Sequence, residues 1–245
     1  MMDKTFVRTA RVIGENAVET LRGCRVAVFG IGGVGGNCAE ALARSGIGTL
    51  DLIDHDEVCV SNLNRQVFAV RSAVGRKKVD AARERLADIS SDIRINTWPI
   101  FYLPETRDMI DFRVYDYIVD AIDTVTAKLD IIERAAECGV PVISAMGCGN
   151  RVDPSKLQIM DIYETSGDPL AKVMRRELRK RGIRRLTVCC SLEPPLSPVF
   201  ELPEEGESKR RGIPGSTAFV PPAAGILMAS YVVRQLISFD PENRG

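Results

Sequence analysis

The chain has 245 residues, 45% of them apolar and 27% charged, a composition ordinary for a soluble globular protein. That length suits one large α/β domain or two small ones, with chain enough for a sizeable core. The 33 basic residues balance the 33 acidic ones, so overall charge points to no polyanionic partner and local clusters must be judged separately.

Seven cysteines, an odd number without any C-x-x-C pair, argue against a disulfide framework and against a thiolate zinc site. They suit buried thiols in a reducing compartment. The N-terminal MMDKTFVRTARVIGENAVET lacks the apolar core of a signal peptide. The most apolar stretch, AFVPPAAGILMASYVVRQLI (218–237), is interrupted by Pro221, Pro222, Ser230 and Arg234. It falls short of the roughly 18 clean apolar residues that spanning requires. It reads as a buried helix of a cytoplasmic protein with no membrane partner.

In chain order, RVAVFG (25–30) is a β-branched and aromatic run ending in glycine, which predicts a buried strand. GIGGVGGNCAEALARSG then supplies a glycine turn and a helix, and TLDLID (49–54) a second strand, completing a βαβ unit. GRKKVDAARERLADI carries Val79, Ala82, Leu86 and Ile89 at helical spacing. IRINTWPI (93–100) predicts a strand with Trp98 in the core, and PETRDMI a short helix. YDYIVDAID (115–123) predicts a strand ending at an acidic residue. VTAKLDIIERAAECG predicts a helix with glycine just past its end, and VPVISAM another strand. This alternation predicts an α/β, Rossmann-like, doubly wound and mostly parallel sheet.

The last third changes character. KLQIMDI and RLTVCCS predict strands on either side of a basic helix, DPLAKVMRRELRKRG, which makes a C-terminal mixed extension to the sheet. The proline-rich segment at about 191–217 predicts a long crossover loop, functional or mobile. No internal repeat and no second-domain boundary is visible, so residues 1–245 read as a single domain.

Chemistry concentrates in the first half. Gly30, Gly32, Gly33 and Gly35 match G-x-G-x-x-G between a strand and a helix, where backbone N–H groups meet phosphate. Asp54 stands 19 residues after Gly35, at the end of the next strand, where a carboxylate takes ribose hydroxyls. Asp56 and Glu57 read as solvated loop charges, with Asp56 retained among the nucleotide-binding candidates. His55, the lone histidine, reads as a polar residue lining or flanking the pocket. Asn62, Arg65 and Gln66 in VSNLNRQVF exceed what a hydride-transfer site needs. A guanidinium beside phosphates suits an enzyme that breaks the bond between the α- and β-phosphates, because charge grows on the leaving pyrophosphate. Gly75-Arg76-Lys77-Lys78 opens the next helix and can bring N–H groups and Lys78 to the same anion. Asp123, ending a later parallel strand, is a lone carboxylate facing polyphosphate, best explained by Mg²⁺.

GIGGVGG, LIDHDEVCVSNLNRQ, VGRKK and DAID together, in order and spacing, resemble the adenylating superfamily of ThiF, MoeB and the ubiquitin-activating enzymes. RTARVIGENAVETLRGCRVAVFG, SLEPP and GIPGSTAFVPPAAG are similar to one branch of it, the tRNA threonylcarbamoyladenosine dehydratases of the TcdA (CsdL) group. The resemblance implies the following roles. Asp54 binds the ATP ribose; Asn62, Arg65 and Gln66 contact triphosphate; Lys78 is a phosphate-binding lysine; Asp123 is the metal-linked aspartate. Arg65, Lys78 and Asp123 are then the catalytic set. Arg11 resembles an arginine that reaches the neighbouring subunit's ATP site, which implies a homodimer. The zinc-binding cysteine pairs usual in ThiF-like and MoeB-like members are missing, so no zinc is expected. Residues 191–217 contain no cysteine, so no enzyme thioester is expected; Cys189 and Cys190 read as core.

The implied reaction is ATP-dependent. A threonyl carboxylate on a modified tRNA adenosine is adenylated, and a nitrogen or oxygen of the same modification closes the ring and releases AMP. A tRNA needs phosphate contacts, and KVMRRELRKRGIRR offers Lys172, Arg175, Arg176, Arg179, Lys180, Arg181, Arg184 and Arg185, with Lys209, Arg210 and Arg211 as a second cluster. A monovalent cation and a cysteine-desulfurase or sulfur-acceptor partner stay open. The competing readings are an adenylyltransferase for the C-terminus of a ubiquitin-like sulfur carrier, a non-catalytic nucleotide-binding scaffold, and an NAD oxidoreductase, which leaves SNLNRQ and GRKK unexplained.

Overall fold

The computed structural model describes residues 4–200 and 214–242. Its frame is one seven-stranded sheet built from β1 (Arg25–Phe29), β2 (Thr49–Ile53), β3 (Arg94–Trp98), β4 (Tyr117–Asp120), β5 (Val142–Ala145), β6 (Leu157–Asp161) and β7 (Thr187–Ser191). The spatial order is β3-β2-β1-β4-β5-β7-β6, parallel throughout except for the antiparallel pair β6–β7. This is the expected doubly wound sheet with a mixed C-terminal extension. The chain winds outward from β1 to β3, returns, and starts again at β4, so the winding direction switches between β1 and β4. Open α/β sheets bind ligands in the crevice beyond the carboxyl ends of such strands.

Side-chain alternation along β1 divides the core. Val26 and Val28 face one layer, with α2 (Glu15–Gly23), α3 (Gly35–Ser45), α4 (Lys78–Ala87) and α7 (Val220–Leu236). Ala27 and Phe29 face the other, with α5 (Val125–Cys138) and the rings of Tyr102 and Phe112. α6 (Pro169–Lys180) packs beside α5 through Met174 and Leu178. Each fully buried aliphatic or aromatic side chain here contributes about 1.5–3 kcal/mol. α1 (Val7–Ile13) precedes α2, and these two N-terminal helices carry no motif that announced them. Among the described residues, no helix is long and apolar enough to cross a membrane.

Several boundaries differ from expectation. The fourth strand ends at Asp120 rather than Asp123, because the backbone turns there onto buried partners described below. PETRDMI forms only a single 3₁₀ turn, Arg107–Met109. GRKK does not open α4: the helix begins at Lys78, and Lys77 pairs with Glu57 in an isolated bridge. Trp98 lies on the edge strand and is half-buried rather than central, its indole N–H donating to Asp51 at 2.9 Å. The cysteines are not uniformly buried: Cys24, Cys38, Cys189 and Cys190 are, Cys59 is exposed, and Cys138 and Cys148 are intermediate. Half of the loop expected at 191–217, including Lys209, Arg210 and Arg211, lies outside the described residues.

Candidate active site

Beyond β1 the chain makes a tight glycine turn. Gly30 has φ +86°, and a Cβ there would sit 2.7 Å from the Ala121 carbonyl. A Cβ on Gly35 would come within 1.8 Å of the Gly30 carbonyl, so only glycine lets α3 start against the turn. No side chain caps α3; the Gly36 N–H donates back to the Gly32 carbonyl at 3.0 Å, and Gly30, Gly32 and Gly33 of the turn border the crevice.

Asp54 follows β2 and is 9% exposed. Its carboxylate accepts the Ile31 N–H at 2.6 Å and the Asp56 N–H at 2.8 Å, tying the glycine turn to the β2 loop. Each oxygen keeps a further lone pair for a hydroxyl. Lys78 is 6% exposed, its ammonium 2.6 Å from Asp56 and 4.0 Å from Asp54. Asp56 is therefore the lysine's counter-ion, which is more than a solvated loop charge. Asp54, His55 and Asp56 lie close together, but the two carboxylates already hold backbone N–H groups and Lys78.

Residues 60–66 fold as a compact turn in which Asn62 accepts the Cys59 N–H through its side chain and the Arg65 and Gln66 N–H groups through its carbonyl. The Arg65 guanidinium donates to the Ser61 carbonyl at 2.9 Å and to Asn64 Oδ1 at 3.0 Å. Partial burial pulls its pKa down from the free value, yet it stays a cation. Among the described residues it has no acidic partner. A desolvated cation without a counter-ion favours an anionic ligand.

Asp123 sits three residues past β4 and is exposed; among the described residues its carboxylate accepts only from the Thr124 hydroxyl, at 3.4 Å. With no cationic partner among the described residues, it is a fit donor for a hard divalent ion that keeps most of its other ligands from phosphate and water.

These groups line one cleft of about 300 Å³: Gly30, Gly32, Gly33, Asp54, Asp56, Asn62, Arg65, Gln66, Lys78 and Asp123 all border it. Its other end is apolar, formed by Ile100, Phe101, Tyr102, Ile122 and Ala127, with His55 packed on Phe101 at 4.3 Å between ring centroids. Gly35 lies behind the turn rather than in the cleft. Arg11 is exposed on α1 and does not border it.

The basic segment is separate, on and after α6. Much of its charge is already neutralised. Arg176 and Lys180 meet Glu177 at 2.9 and 3.0 Å, and Arg181 meets Glu133 at 3.2 Å. Lys180 and Arg176 hold the Glu177 carboxyl down at about 2. Arg175 bonds Thr165, and Arg179 lies over the Tyr163 ring. Lys172, Arg184 and Arg185 are exposed without an acidic partner among the described residues.

Sequence reasoning missed the supports beneath the site. Lys128 and Asp120, both fully buried, pair at 2.9 Å. Asp120 also accepts the Ser144 hydroxyl at 2.6 Å, and Lys128 donates to the Ile122 carbonyl at 2.9 Å. Together they hold the turn that carries Asp123. A lysine amid the apolar face of α5 was the available signal. Arg151 and Asp168 form a second buried pair at 2.7 Å, for which the sequence offered no comparable sign.

A family model, that of the ThiF family, matches residues 6–244. The chain belongs to the ThiF family. The tRNA threonylcarbamoyladenosine dehydratase of Bacillus subtilis (strain 168) is 41% identical over 239 residues, covering 95% of this chain and 94% of the relative. That of Escherichia coli (strain K12) is 39% identical over 174 residues, 71% of this chain and 65% of the relative. The crystal structure of E. coli tRNA N6-threonylcarbamoyladenosine dehydratase, TcdA, in complex with AMP superposes with a TM-score of 0.86 at 31% identity. It covers 96% of this chain and 94% of that one. The same enzyme in complex with ATP gives a TM-score of 0.84 at the same identity and coverage. E. coli MccB, 20% identical with a TM-score of 0.65, shares the ThiF-family fold.

Proposed function

We propose that this ThiF-family chain is an ATP-dependent tRNA threonylcarbamoyladenosine dehydratase. The observation that carries the reading is the cleft itself. The glycine turn, the Arg65 guanidinium and the Asp123 carboxylate, neither with an oppositely charged partner among the described residues, and the buried Lys78 ammonium converge on it. The high similarity to dehydratases along nearly the full chain selects the substrate class.

In this reading the apolar end takes the adenine, and Asp54 takes the ribose hydroxyls with its free lone pairs. The triphosphate runs along the glycine turn toward Asn62, Arg65, Gln66 and Lys78. The threonyl carboxylate of the modified adenosine attacks the α-phosphorus. The bond from that phosphorus to the bridging oxygen of pyrophosphate breaks. Arg65, Lys78 and the turn amides stabilise the charge that grows on the leaving group, the kind of preorganised contact where one donor is worth about 10²–10³ in rate. Asp123 would hold magnesium, which supplies further charge neutralisation at the phosphates. A nitrogen or oxygen of the same modification then attacks the activated carbonyl and AMP departs, so one water's worth of atoms leaves the substrate. Ring closure is intramolecular, and positioning supplies much of its rate.

Arg11 is exposed and does not border its own cleft, which suits a homodimer in which it reaches the partner's site. Lys172, Arg184 and Arg185 are the free cations available to tRNA phosphates. The test is mass spectrometry of nucleosides from tRNA incubated with the protein, ATP and Mg²⁺. Threonylcarbamoyladenosine should convert to a species lighter by one water. Unchanged nucleoside alongside ATP consumption would refute the substrate assignment.

A further inference from the structure

Asn64 of SNLNRQ has no role in the reading above, and it is exposed. Its amide nevertheless makes two specific contacts in opposite directions. Oδ1 accepts from the Arg65 guanidinium at 3.0 Å, and Nδ2 donates to the Ser216 carbonyl at 2.9 Å, across 152 residues of chain. Ser216 belongs to the segment that leads into α7, and that segment is itself anchored. Gly215 donates to Asn150 Oδ1 at 2.6 Å and accepts the Asn150 N–H at 2.8 Å. Thr217 donates to the Arg151 carbonyl at 3.3 Å. Asn150 also accepts the Leu196 N–H at 2.7 Å, in the stretch that leaves β7. Asn150 takes φ +57° to face both stretches at once, and Arg151 beneath it is locked onto Asp168.

We infer that Asn64 is a positioning residue: it fastens the Arg65 guanidinium to the anchored segment at 214–217, so that Arg65 is aimed at the triphosphate by the C-terminal part of the chain. The physical reason is the chemistry of Arg65's surroundings. Its other partner among the described residues is the Ser61 carbonyl, from the same turn, so of these two it is Asn64 that refers the guanidinium to the rest of the fold. A primary amide can accept from a guanidinium through its oxygen and donate to a carbonyl through its nitrogen at the same time. This inference rests on the reading that Arg65 meets the outer phosphates, and it adds the residue that sets its direction.

The test compares affinities for ATP and for AMP by calorimetry, in the full-length protein, for Asn64→Ala, Arg65→Ala and the double variant. AMP lacks the phosphates Arg65 is aimed at. Asn64→Ala should weaken ATP binding about tenfold, the scale of one hydrogen bond to a charged group, and leave AMP binding unchanged. Arg65→Ala should weaken ATP further, and adding Asn64→Ala to it should change nothing, because Asn64 acts only through Arg65. Asn64→Asp keeps the acceptor for Arg65 but loses the donor to Ser216, and should show the ATP-specific loss as well. Equal losses for ATP and AMP, an Asn64→Ala effect that persists in the Arg65→Ala background, or no effect of Asn64→Ala overturns the inference. If Arg65→Ala binds ATP like the parent, the assignment of Arg65 itself is what fails, and the inference goes with it.

Discussion

Replacing Lys128 with methionine removes a buried ammonium while keeping most of the side-chain volume. Asp120 is then left with the Ser144 hydroxyl and the Ile122 N–H and no counter-ion, in a site with no solvent exposure. Breaking a buried pair by deleting one partner costs about 3–5 kcal/mol. For a chain of this size each kcal/mol moves the melting midpoint by about 2–4 °C, so Lys128→Met should melt roughly 6–20 °C below the parent. The turn carrying Asp123 loses its Lys128 tie to the Ile122 carbonyl, so turnover should fall more than the population of folded protein does. Circular dichroism melts with parallel AMP-release assays at a temperature where the variant is folded separate the two effects. The double variant Asp120→Asn, Lys128→Met removes both charges and should regain much of the lost stability, since it is the orphaned charge that is expensive. A Lys128→Met protein melting within about 2 °C of the parent would refute the argument, because that corresponds to under about 1 kcal/mol.

Arg65→Ala and Asp123→Ala should each fold normally and lose about 10²-fold or more in turnover, the effect of removing one preorganised charge contact; a fully active Arg65→Ala protein would remove its assigned role. The triple variant Lys172→Ala, Arg184→Ala, Arg185→Ala should bind tRNA more weakly, with a shallower dependence of affinity on salt, and bind ATP as before; unchanged tRNA affinity would return the segment to an ordinary solvated face. Burial pushes the Cys148 thiol up to about 12 and the Cys190 thiol up to about 11. Iodoacetamide at mildly alkaline pH should therefore label exposed Cys59 first and spare these two until the chain unfolds, as peptide mapping would report. The same raised thiols favour the folded state below their unfolded value of 9.0, and that contribution is lost as pH rises through about 11 for Cys190, so stability should decline over that window.

The strands and helices that carry motifs were readable because two periodicities and a run of glycines coincide there. β1, the glycine turn and α3 follow directly from RVAVFG and GIGGVGG, and the cleft residues come from adjacent strand ends. YIVDAID contains two acids, and the strand ends at the first of them, Asp120, rather than at Asp123, because Asp120 is buried against Lys128, which only three-dimensional packing reveals. The basic run on and after α6 reads in sequence as eight cations beside one acid, Glu177. In space Glu177 and Glu133 compensate several of its charges at helical neighbour distances and across to α5. The Asn64–Ser216 contact spans too much chain for any local pattern to announce it.

The most direct trial of the account measures AMP release from ATP and Mg²⁺ with two alternative acceptors: tRNA bearing threonylcarbamoyladenosine, and a ubiquitin-like carrier ending in Gly-Gly. Release stimulated by the modified tRNA and indifferent to the carrier is the expected result. Release stimulated by the carrier alone would contradict it, leaving the adenylating cleft in place but assigning it to a protein substrate.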